Sequence, residues 1–264
     1  MPEVGWCVGE NGRVPTYRDE AVVLRTHKLG EADRIITMLS RRHGKVRAVA
    51  RGVRRTSSKF GARLEPFSHV DLQFATGRTL DVITQAVTLH PYSEPLAHDY
   101  ERYTTGQVMI ETADRLVTEE GEPSLQQFQL LVGALHALTS GTSDGPRAPA
   151  MVMDAYLLRA VSLAGYAPTL QDCARCGASG PHEAFSPQLG GMVCRRCRPP
   201  GSAHPSPSTV SYLGSLLAGD WPATREVADA TVRQGSGLVA AFISWHLDRG
   251  LRSLSHLDRS RPGE

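Results

Sequence analysis

The sequence predicts an α+β protein with an N-terminal five-stranded β-barrel and a C-terminal all-α domain that contains an inserted four-cysteine ribbon. Apolar residues alternate with polar ones in short segments before Tyr92 and recur with helical spacing after it. Two C-x2-C pairs then interrupt the helical part. Hydrophobic residues make up 41% of the 264 residues and charged residues 21%, which excludes a wholly disordered chain.

Five segments with strand-like alternation lie between residues 17 and 91. They cover residues 20–26, 33–40, 45–52, 69–74 and 80–89, with turn residues such as Gly30 and Gly44 between them. Five strands in so short a span predict a closed barrel, and the oligonucleotide-binding (OB) fold is the common five-stranded solution. We therefore expect an OB-fold nucleic-acid-binding domain at residues 17–91, preceded by a disordered extension at residues 1–16.

A helical domain is expected at residues 92–258, followed by a disordered tail at residues 259–264. Its first helix is predicted from an apolar stripe made of Leu96, Tyr100, Tyr103, Ile110, Ala113 and Val117. Ser124 and Gln127 have the spacing of a capping box that opens a second helix. Further helices are predicted at about 150–164, 209–218 and 235–254, the last with a stripe of Leu238, Ala241, Phe242 and Trp245.

Four of the five cysteines form two C-x2-C pairs separated by 17 residues, and they are Cys173, Cys176, Cys194 and Cys197. Two such pairs complete the tetrahedral thiolate set of a structural zinc site, so we predict one Zn²⁺ in a ribbon at about residues 170–200. Disulfides are an alternative, but they are rare in a reducing cytoplasm. A redox pair is another alternative, but it needs no second matching pair.

Four arginines lie within or next to the two C-x2-C pairs, and the sequence allows two roles for them. They are Arg175, Arg195, Arg196 and Arg198. Their guanidinium groups either contact nucleic acid or lower the pKa values of the thiols and balance the charge of a dianionic zinc site.

Basic residues concentrate in one stretch of the chain. Residues 25–63 hold twelve Lys or Arg against two acidic residues, which leaves ten net positive charges in this window. The formal net charge of the whole chain is only +2, so the remainder carries a net charge of −8. Like charges at this density repel unless a partner neutralises them, so the window predicts a polyanion-binding face rather than an ordinary solvated surface.

The side chains expected to hold phosphates lie on the charged face of the third strand and in the loop after it. The favoured set is Arg47, Arg51, Arg54, Arg55, Lys59 and Arg63, and the second set is Lys28, Arg34, Arg41, Arg42 and Lys45. An alternative for Arg34 is an ion pair with Glu31 or Asp33.

Aromatic residues are missing from most of the predicted barrel. No Phe, Trp or Tyr lies between Tyr17 and Phe60, and Phe67 and Phe74 fit the barrel core. Single-strand-specific barrels stack bases on aromatic rings, each worth about 1–3 kcal/mol. Binding is therefore expected to use the phosphate backbone with little sequence preference, which leaves bases free to pair.

The sequence shows no motif of a catalytic centre, so we expect a protein that is not an enzyme. A nucleophile–base pair and a phosphate-cradling G-x-x-x-x-G-K-[ST] motif are both absent, and Glu119, Glu120 and Glu122 fit a solvated helix end. No apolar run approaches the roughly 18 residues of a membrane span, and the first 16 residues lack the apolar core of a secretory signal. We therefore expect a cytoplasmic protein without a membrane partner.

Several stretches together resemble the RecO family of bacterial recombination mediators, most closely its actinobacterial branch. The matching stretches are residues 21–24 (AVVL), 30–34 (GEADR), 45–55 (KVRAVARGVRR), 58–67 (SKFGARLEPF), the fifth predicted strand, the helix from Asp154 with the cysteine pairs after it, and 245–247 (WHL). The resemblance covers about residues 17–258 and implies an OB-fold barrel, a helical domain and a zinc ribbon.

The resemblance also implies a function that spacing does not show. RecO-like proteins bind single- and double-stranded DNA and anneal complementary strands coated with single-strand binding protein (SSB). They recognise the acidic C-terminal tail of SSB, partner RecR, and help RecA load at gaps, so a cytoplasmic, nucleoid-associated location follows.

Two other functions remain open from the residues alone. The first is a zinc-containing regulator that binds RNA or promoter DNA without annealing strands. The second is a thiol redox enzyme built on the two cysteine pairs, which predicts reversible disulfides and no stoichiometric zinc.

Overall fold

The structure is a computed structural model that describes residues 14–247. Its N-terminal part is a closed barrel with strand order β1-β2-β3-β5-β4, in which β3 and β5 run parallel and the other neighbours antiparallel. This is the five-stranded OB-fold barrel that the sequence predicts. The strands are β1 (Thr16–Leu29), β2 (Asp33–Ser40), β3 (Gly44–Ala50), β4 (Ser68–Ala75) and β5 (Asp81–Pro91).

Strand β1 is longer than its alternation predicted. Its first half pairs with β4, from Thr16 opposite Ala75, and its second half pairs with β2, as far as Leu29 opposite Asp33. Thr16 therefore belongs to the barrel and not to the disordered extension that the sequence predicted. Residues 1–13 and the predicted tail at 259–264 lie outside the described residues.

The interior of the barrel is filled by the apolar side of each strand. On β3, Val46, Ala48 and Ala50 are buried in the barrel core, whereas Arg47 between them is exposed. The predicted division of this strand into an apolar and a charged face is confirmed. Alternation is reliable here because successive side chains of a strand point to opposite faces.

Within residues 14–247, six α-helices follow the barrel, and α4 is buried over most of its length. Helix α4 contacts α2, α3, α5 and α6. The helices are α1 (Ser93–Ala97), α2 (Tyr100–Leu116), α3 (Leu125–Ser140), α4 (Pro149–Leu163), α5 (Pro207–Ala218) and α6 (Asp229–His246). Residues 248–254 of the last predicted helix lie outside the described range.

Three aromatic residues assigned to apolar stripes are exposed instead. Tyr100 is 74% exposed because it is the first residue of α2, before the helix reaches the core. Tyr103 is also exposed, with its ring edge against Phe67. Trp245 is 55% exposed because the buried side of α6 carries Leu238 and Phe242 but does not extend to Trp245. The predicted stripes were therefore too wide.

The predicted capping box at the start of α3 is wrong. Ser124 is the N-cap residue, but its hydroxyl accepts no capping hydrogen bond. Gln127 is buried, and its side-chain amide donates to the carbonyl of Ala160 at 2.8 Å. The glutamine thus joins α3 to the end of α4, a role that spacing along one helix does not show.

The cysteine module is inserted between α4 and α5. It contains a two-stranded antiparallel hairpin of β6 (Ala184–Ser186) and β7 (Gly191–Val193). Phe185 and Met192 belong to the core of the helical domain, where the Phe185 ring contacts Phe242 of α6. Within residues 14–247, none of the helices combines the length and hydropathy that a bilayer-spanning segment requires.

Candidate nucleic-acid interface and metal centre

The four cysteines of the ribbon meet at one point. Their sulfur atoms all lie within 4.8 Å of one another, with Cys176 Sγ 3.9 Å from Cys194 Sγ. A tetrahedral zinc site with sulfurs at 2.3 Å has sulfur–sulfur edges of about 3.8 Å. All four cysteines are free thiols, so the two pairs form no disulfide here. Donor type and spacing both fit a tetrahedral metal ion.

The surroundings of the sulfurs lower the pKa of one cysteine thiol and raise the pKa of another. The backbone N–H of Cys194 donates to Cys173 Sγ at 3.4 Å and lowers the pKa of the Cys173 thiol to about 6. The neighbouring thiols of Cys194 and Cys176 raise the pKa of Cys197 to about 12. Binding of a divalent ion would favour the thiolate form of all four cysteines, because metal ligation displaces the thiol protons.

On the barrel, the basic residues of β3 are already paired with acidic residues of the helical domain. Lys45 Nζ lies 2.7 Å from Asp114 of α2, and Arg25 of β1 contacts the same carboxylate at 3.2 Å. Arg47 contacts Glu120 at 3.3 Å. Lys45 and Arg47, both expected to hold phosphates, thus face carboxylates of this chain.

The acidic segment 119–122 lies along the start of β3. The backbone N–H of Gly121 donates to the carbonyl of Lys45, and a Cβ added to Gly44 would stand 1.8 Å from the carbonyl oxygen of Glu122. Gly44 also has a φ of +58°, so glycine is needed here for two reasons. Glu119, Glu120 and Glu122 are all exposed after the end of α2, as a solvated helix end predicts, and Glu120 in addition forms a β-bridge to β3.

Two more of the predicted phosphate-binding residues form ion pairs with acidic residues of the barrel domain itself. Arg34 contacts Glu65 at 2.7 Å, so neither acid that the sequence offered as its partner pairs with it. Asp33 accepts the backbone N–H of Gly52 instead, which helps to end β3 at Ala50. Arg41 pairs with Glu20 at 2.9 Å.

The other predicted basic residues keep their charge unpaired. Among the described residues none of them forms an ion pair, and they are Lys28, Arg42, Arg51, Arg54, Arg55, Lys59 and Arg63. All seven are exposed. Except for Arg42, they lie at the end of β1 and in the connection between β3 and β4.

Hydrogen bonds to carbonyl groups hold this connection in place. Arg54 donates to the carbonyls of Gly30 and Glu31 in the β1–β2 turn, at 3.3 and 2.9 Å. Lys59 donates to the carbonyl of Thr84 on β5 at 2.8 Å. A carbonyl orients a cation without neutralising it. We call the set of Lys28, Arg51, Arg54, Arg55, Lys59 and Arg63 the cationic patch.

The barrel offers few aromatic surfaces on which a base could stack. Phe60, Phe67 and Phe74 are each at most 2% exposed. Tyr17 stacks on Phe74 with ring centroids 4.7 Å apart, and its hydroxyl donates to Asp81. Burial and that carboxylate raise the pKa of Tyr17 well above its usual range.

A groove between α3, α4 and the segment after α5 was not predicted. Its volume is about 730 Å³, and its lining is mainly apolar, with Leu130, Ala134 and Trp221 among the side chains. Arg159 of α4 also lines it, partly buried and without an ion-pair partner among the described residues. Composition could not find this groove, because its walls come from three separate parts of the chain.

Comparison with known proteins covers both parts of the molecule. The family model described as Recombination protein O N terminal matches residues 14–92, and the model described as Recombination protein O C terminal matches residues 97–255. A DNA repair protein RecO of Cutibacterium acnes is 65% identical over 93% of this chain and 100% of its own length. Those of Nocardioides sp. and Streptomyces coelicolor are 60% and 55% identical, each over 92% of this chain and 99% of the relative. The chain therefore belongs to the RecO family of DNA repair proteins.

Proposed function

We propose that the protein is a recombinational DNA repair mediator that binds single- and double-stranded DNA, anneals complementary strands coated with SSB and, with RecR, helps to load RecA at gaps. The observation that carries this proposal is the cationic patch. It lies at the end of β1 and along the β3–β4 connection, where Arg54 contacts the β1–β2 turn, and that turn is among the parts that bind oligonucleotides in this fold. We place the protein in the cytoplasm, at the nucleoid.

The patch favours contact with phosphates over contact with bases. Guanidinium groups bind phosphate oxygens in a bidentate way, and four of the six residues of the patch are arginines. With the barrel phenylalanines buried, bases find little on which to stack. A protein that neutralises backbones and leaves bases free lowers the repulsion between two complementary strands, which supports annealing.

The groove beside α4 supports docking of the SSB tail. An acidic C-terminal tail with apolar side chains requires an apolar floor and one unpaired cation. The groove combines Leu130, Ala134 and Trp221 with the Arg159 guanidinium. A charge-assisted hydrogen bond from Arg159 to a terminal carboxylate is the expected anchor.

We propose that Cys173, Cys176, Cys194 and Cys197 hold one structural Zn²⁺. Four thiolates leave no open position for a catalytic water, so the ion would stabilise the ribbon rather than take part in a reaction. We accordingly place the protein among binding proteins and not among enzymes. The convergence of both pairs on one point favours this over a thiol redox centre, which would use one pair.

The deciding experiment is annealing of complementary oligonucleotides that are coated with the cognate SSB, with and without this protein. We expect faster annealing that fades as salt rises, because phosphate contacts release counterions. The control is annealing of the same strands without SSB. No acceleration by folded, zinc-loaded protein would overturn the mediator function and favour a regulator, which tighter binding of RNA than DNA at equal salt would then support.

A further inference from the structure

The zinc ribbon carries a cluster of arginines that the proposed function leaves unused. Arg175 lies inside the first C-x2-C pair, Arg195 and Arg196 lie inside the second, and Arg198 follows it. All four are exposed. The sulfurs of both pairs converge within 4.8 Å, so the turns that carry these arginines are neighbours in space.

The arginine side chains do not neutralise the sulfurs. The backbone N–H of Cys194 donates to Cys173 Sγ at 3.4 Å. No guanidinium–sulfur hydrogen bond is present among the described residues. The turns therefore direct backbone N–H groups towards the sulfurs and side chains towards solvent. This geometry disfavours a charge-balancing role for the arginines.

Acidic residues of the ribbon do not neutralise the cluster either. Arg195 approaches Glu183 at 3.7 Å, but their side chains are 85% and 75% exposed. Such an exposed pair contributes little and is screened by salt. Within residues 14–247, Arg175, Arg196 and Arg198 form no ion pair.

The ribbon and the barrel contact different helices of the helical domain. The barrel contacts α2 and α3. The ribbon contacts α6 through Phe185 and Phe242, and the His246 ring reaches the carbonyl of Pro187 at 3.1 Å. Helix α4 contacts α2 and α3 and also α5 and α6. A ligand on the ribbon arginines is therefore separate from one on the cationic patch.

We propose that Arg175, Arg195, Arg196 and Arg198 form a second phosphate-binding surface for nucleic acid, separate from the cationic patch on the barrel. The proposal rests on the proposed function, because it assigns a further contact to the same ligand. One long strand, or two strands, can then contact the protein at two places. Each arginine that neutralises a phosphate of single-stranded DNA adds about 0.7 to the steepness of the log affinity against log salt line.

The test uses full-length protein with Arg195→Ala and Arg196→Ala together, and oligonucleotides of two lengths. The matched control is Arg233→Glu on α6, an exposed residue whose substitution likewise lowers the net charge by two. For a strand of about 40 nucleotides we expect the double variant to bind about three- to tenfold more weakly and its salt slope to flatten by about 1.4. A strand of about 10 nucleotides, which one OB fold can hold, is expected to bind as before.

Zinc content and melting temperature show whether the ribbon is intact. If the first variant loses zinc, the variant with Arg175→Ala and Arg198→Ala is measured in the same way. Unchanged affinity and salt slope for the long strand, with zinc bound, would overturn the second surface and leave the mediator function standing. The second surface would also be overturned if the ribbon variants lost binding to an acidic peptide but bound DNA as the unaltered protein does. Failure of the unaltered protein to bind either strand would remove the proposed function itself.

Discussion

At the scale of single residues, the structure separates basic side chains that look alike in the sequence. Arg34 and Arg41 are paired with Glu65 and Glu20, whereas Arg51 and Arg55 have no acidic partner among the described residues. A paired guanidinium must break its ion pair before it binds a phosphate. The free energy of phosphate binding should therefore come mainly from the unpaired residues.

The first prediction compares two double variants that each remove two positive charges. Arg51→Ala with Arg55→Ala should weaken DNA binding about tenfold near 100 mM salt and flatten the salt slope by about 1.4–1.8. Arg34→Ala with Arg41→Ala should have a much smaller effect on both. Fluorescence anisotropy over a salt series measures them, and equal losses in the two variants would contradict the distinction.

His69 of β4 is a buried titratable residue at the junction of the two domains. Its ring stacks with His90 and Tyr92 and contacts Phe128 of α3, and its Nε2 lies 2.8 Å from Glu20. Burial lowers the pKa of His69 below 6.5, against the opposing hydrogen bond and charge of Glu20. The unfolded chain therefore binds the proton more tightly, so stability falls as pH falls from about 6.5 towards the folded pKa.

Because burial lowers the pKa of His69, we expect the protein to lose stability as pH falls. The urea midpoint of the unaltered protein should drop between about pH 7.5 and pH 5.5, and His69→Gln should show a shallower drop. Glutamine retains a donor for Glu20 but has no titrating group. Chemical denaturation followed by circular dichroism measures both proteins. Identical pH dependence would show that other groups cause the loss.

At the scale of elements, the acidic segment 119–122 occupies part of the barrel surface that its basic residues would offer to a polyanion. Glu120 pairs with Arg47, and Asp114 pairs with Lys45 and Arg25. The usable cationic surface is therefore displaced from β3 towards the β3–β4 connection.

The third prediction concerns Glu120→Gln, which removes the carboxylate that faces Arg47. The freed guanidinium should tighten DNA binding at low salt and steepen the salt slope by about 0.7–0.9, the effect of one further phosphate contact. Glu119→Gln is the control, because it removes the same charge from an exposed neighbour without an ion pair in the described part of the chain. Equal effects of the two would indicate a general charge effect only.

The ribbon is the second element whose contacts matter, because it is part of the helical core. Phe185 on β6 and Met192 on β7 both pack with the helices. Loss of the ribbon would therefore expose apolar surface of the helical domain as well as the thiols.

The fourth prediction tests the metal. Cys194→Ser with Cys197→Ser should abolish zinc binding and lower the melting temperature by about 5–10 °C, since each kcal/mol moves it by roughly 2–4 °C in a chain of this size. Metal analysis and calorimetry measure the two effects. Unchanged zinc content and melting temperature would contradict a four-thiolate site.

At the scale of the whole molecule, the outer side of the barrel packs into the hydrophobic core of the helical domain. Val22, Leu24, Leu39 and Phe67 of the barrel lie in the same cluster as the buried residues of α2, α3 and α4. The cationic patch and the groove that contains Arg159 are thus held in a fixed relation. A mediator that contacts DNA and its SSB coat together would benefit from this arrangement.

The fifth prediction separates those two contacts. Arg159→Ala should weaken binding of a peptide with the acidic C-terminal sequence of SSB by about tenfold or more, the value of a charge-assisted hydrogen bond. Binding of bare DNA should stay unchanged. Calorimetry measures the peptide and anisotropy measures the DNA, with Arg233→Ala as the control. Equal loss of both ligands would contradict a separate tail-binding groove.

The sequence by itself determined the OB barrel, the order of barrel and helices, and the meeting of the four cysteines. Each of these depends on local spacing: alternation on β3 follows strand geometry, and two C-x2-C pairs suit one tetrahedral metal site. Only the tertiary structure decided which basic residues are neutralised, that Gln127 links α3 to α4, and that Trp245 is exposed. These outcomes depend on residues distant in the chain, such as Glu120 beside Arg47, whose proximity arises from packing and leaves no local pattern in the sequence.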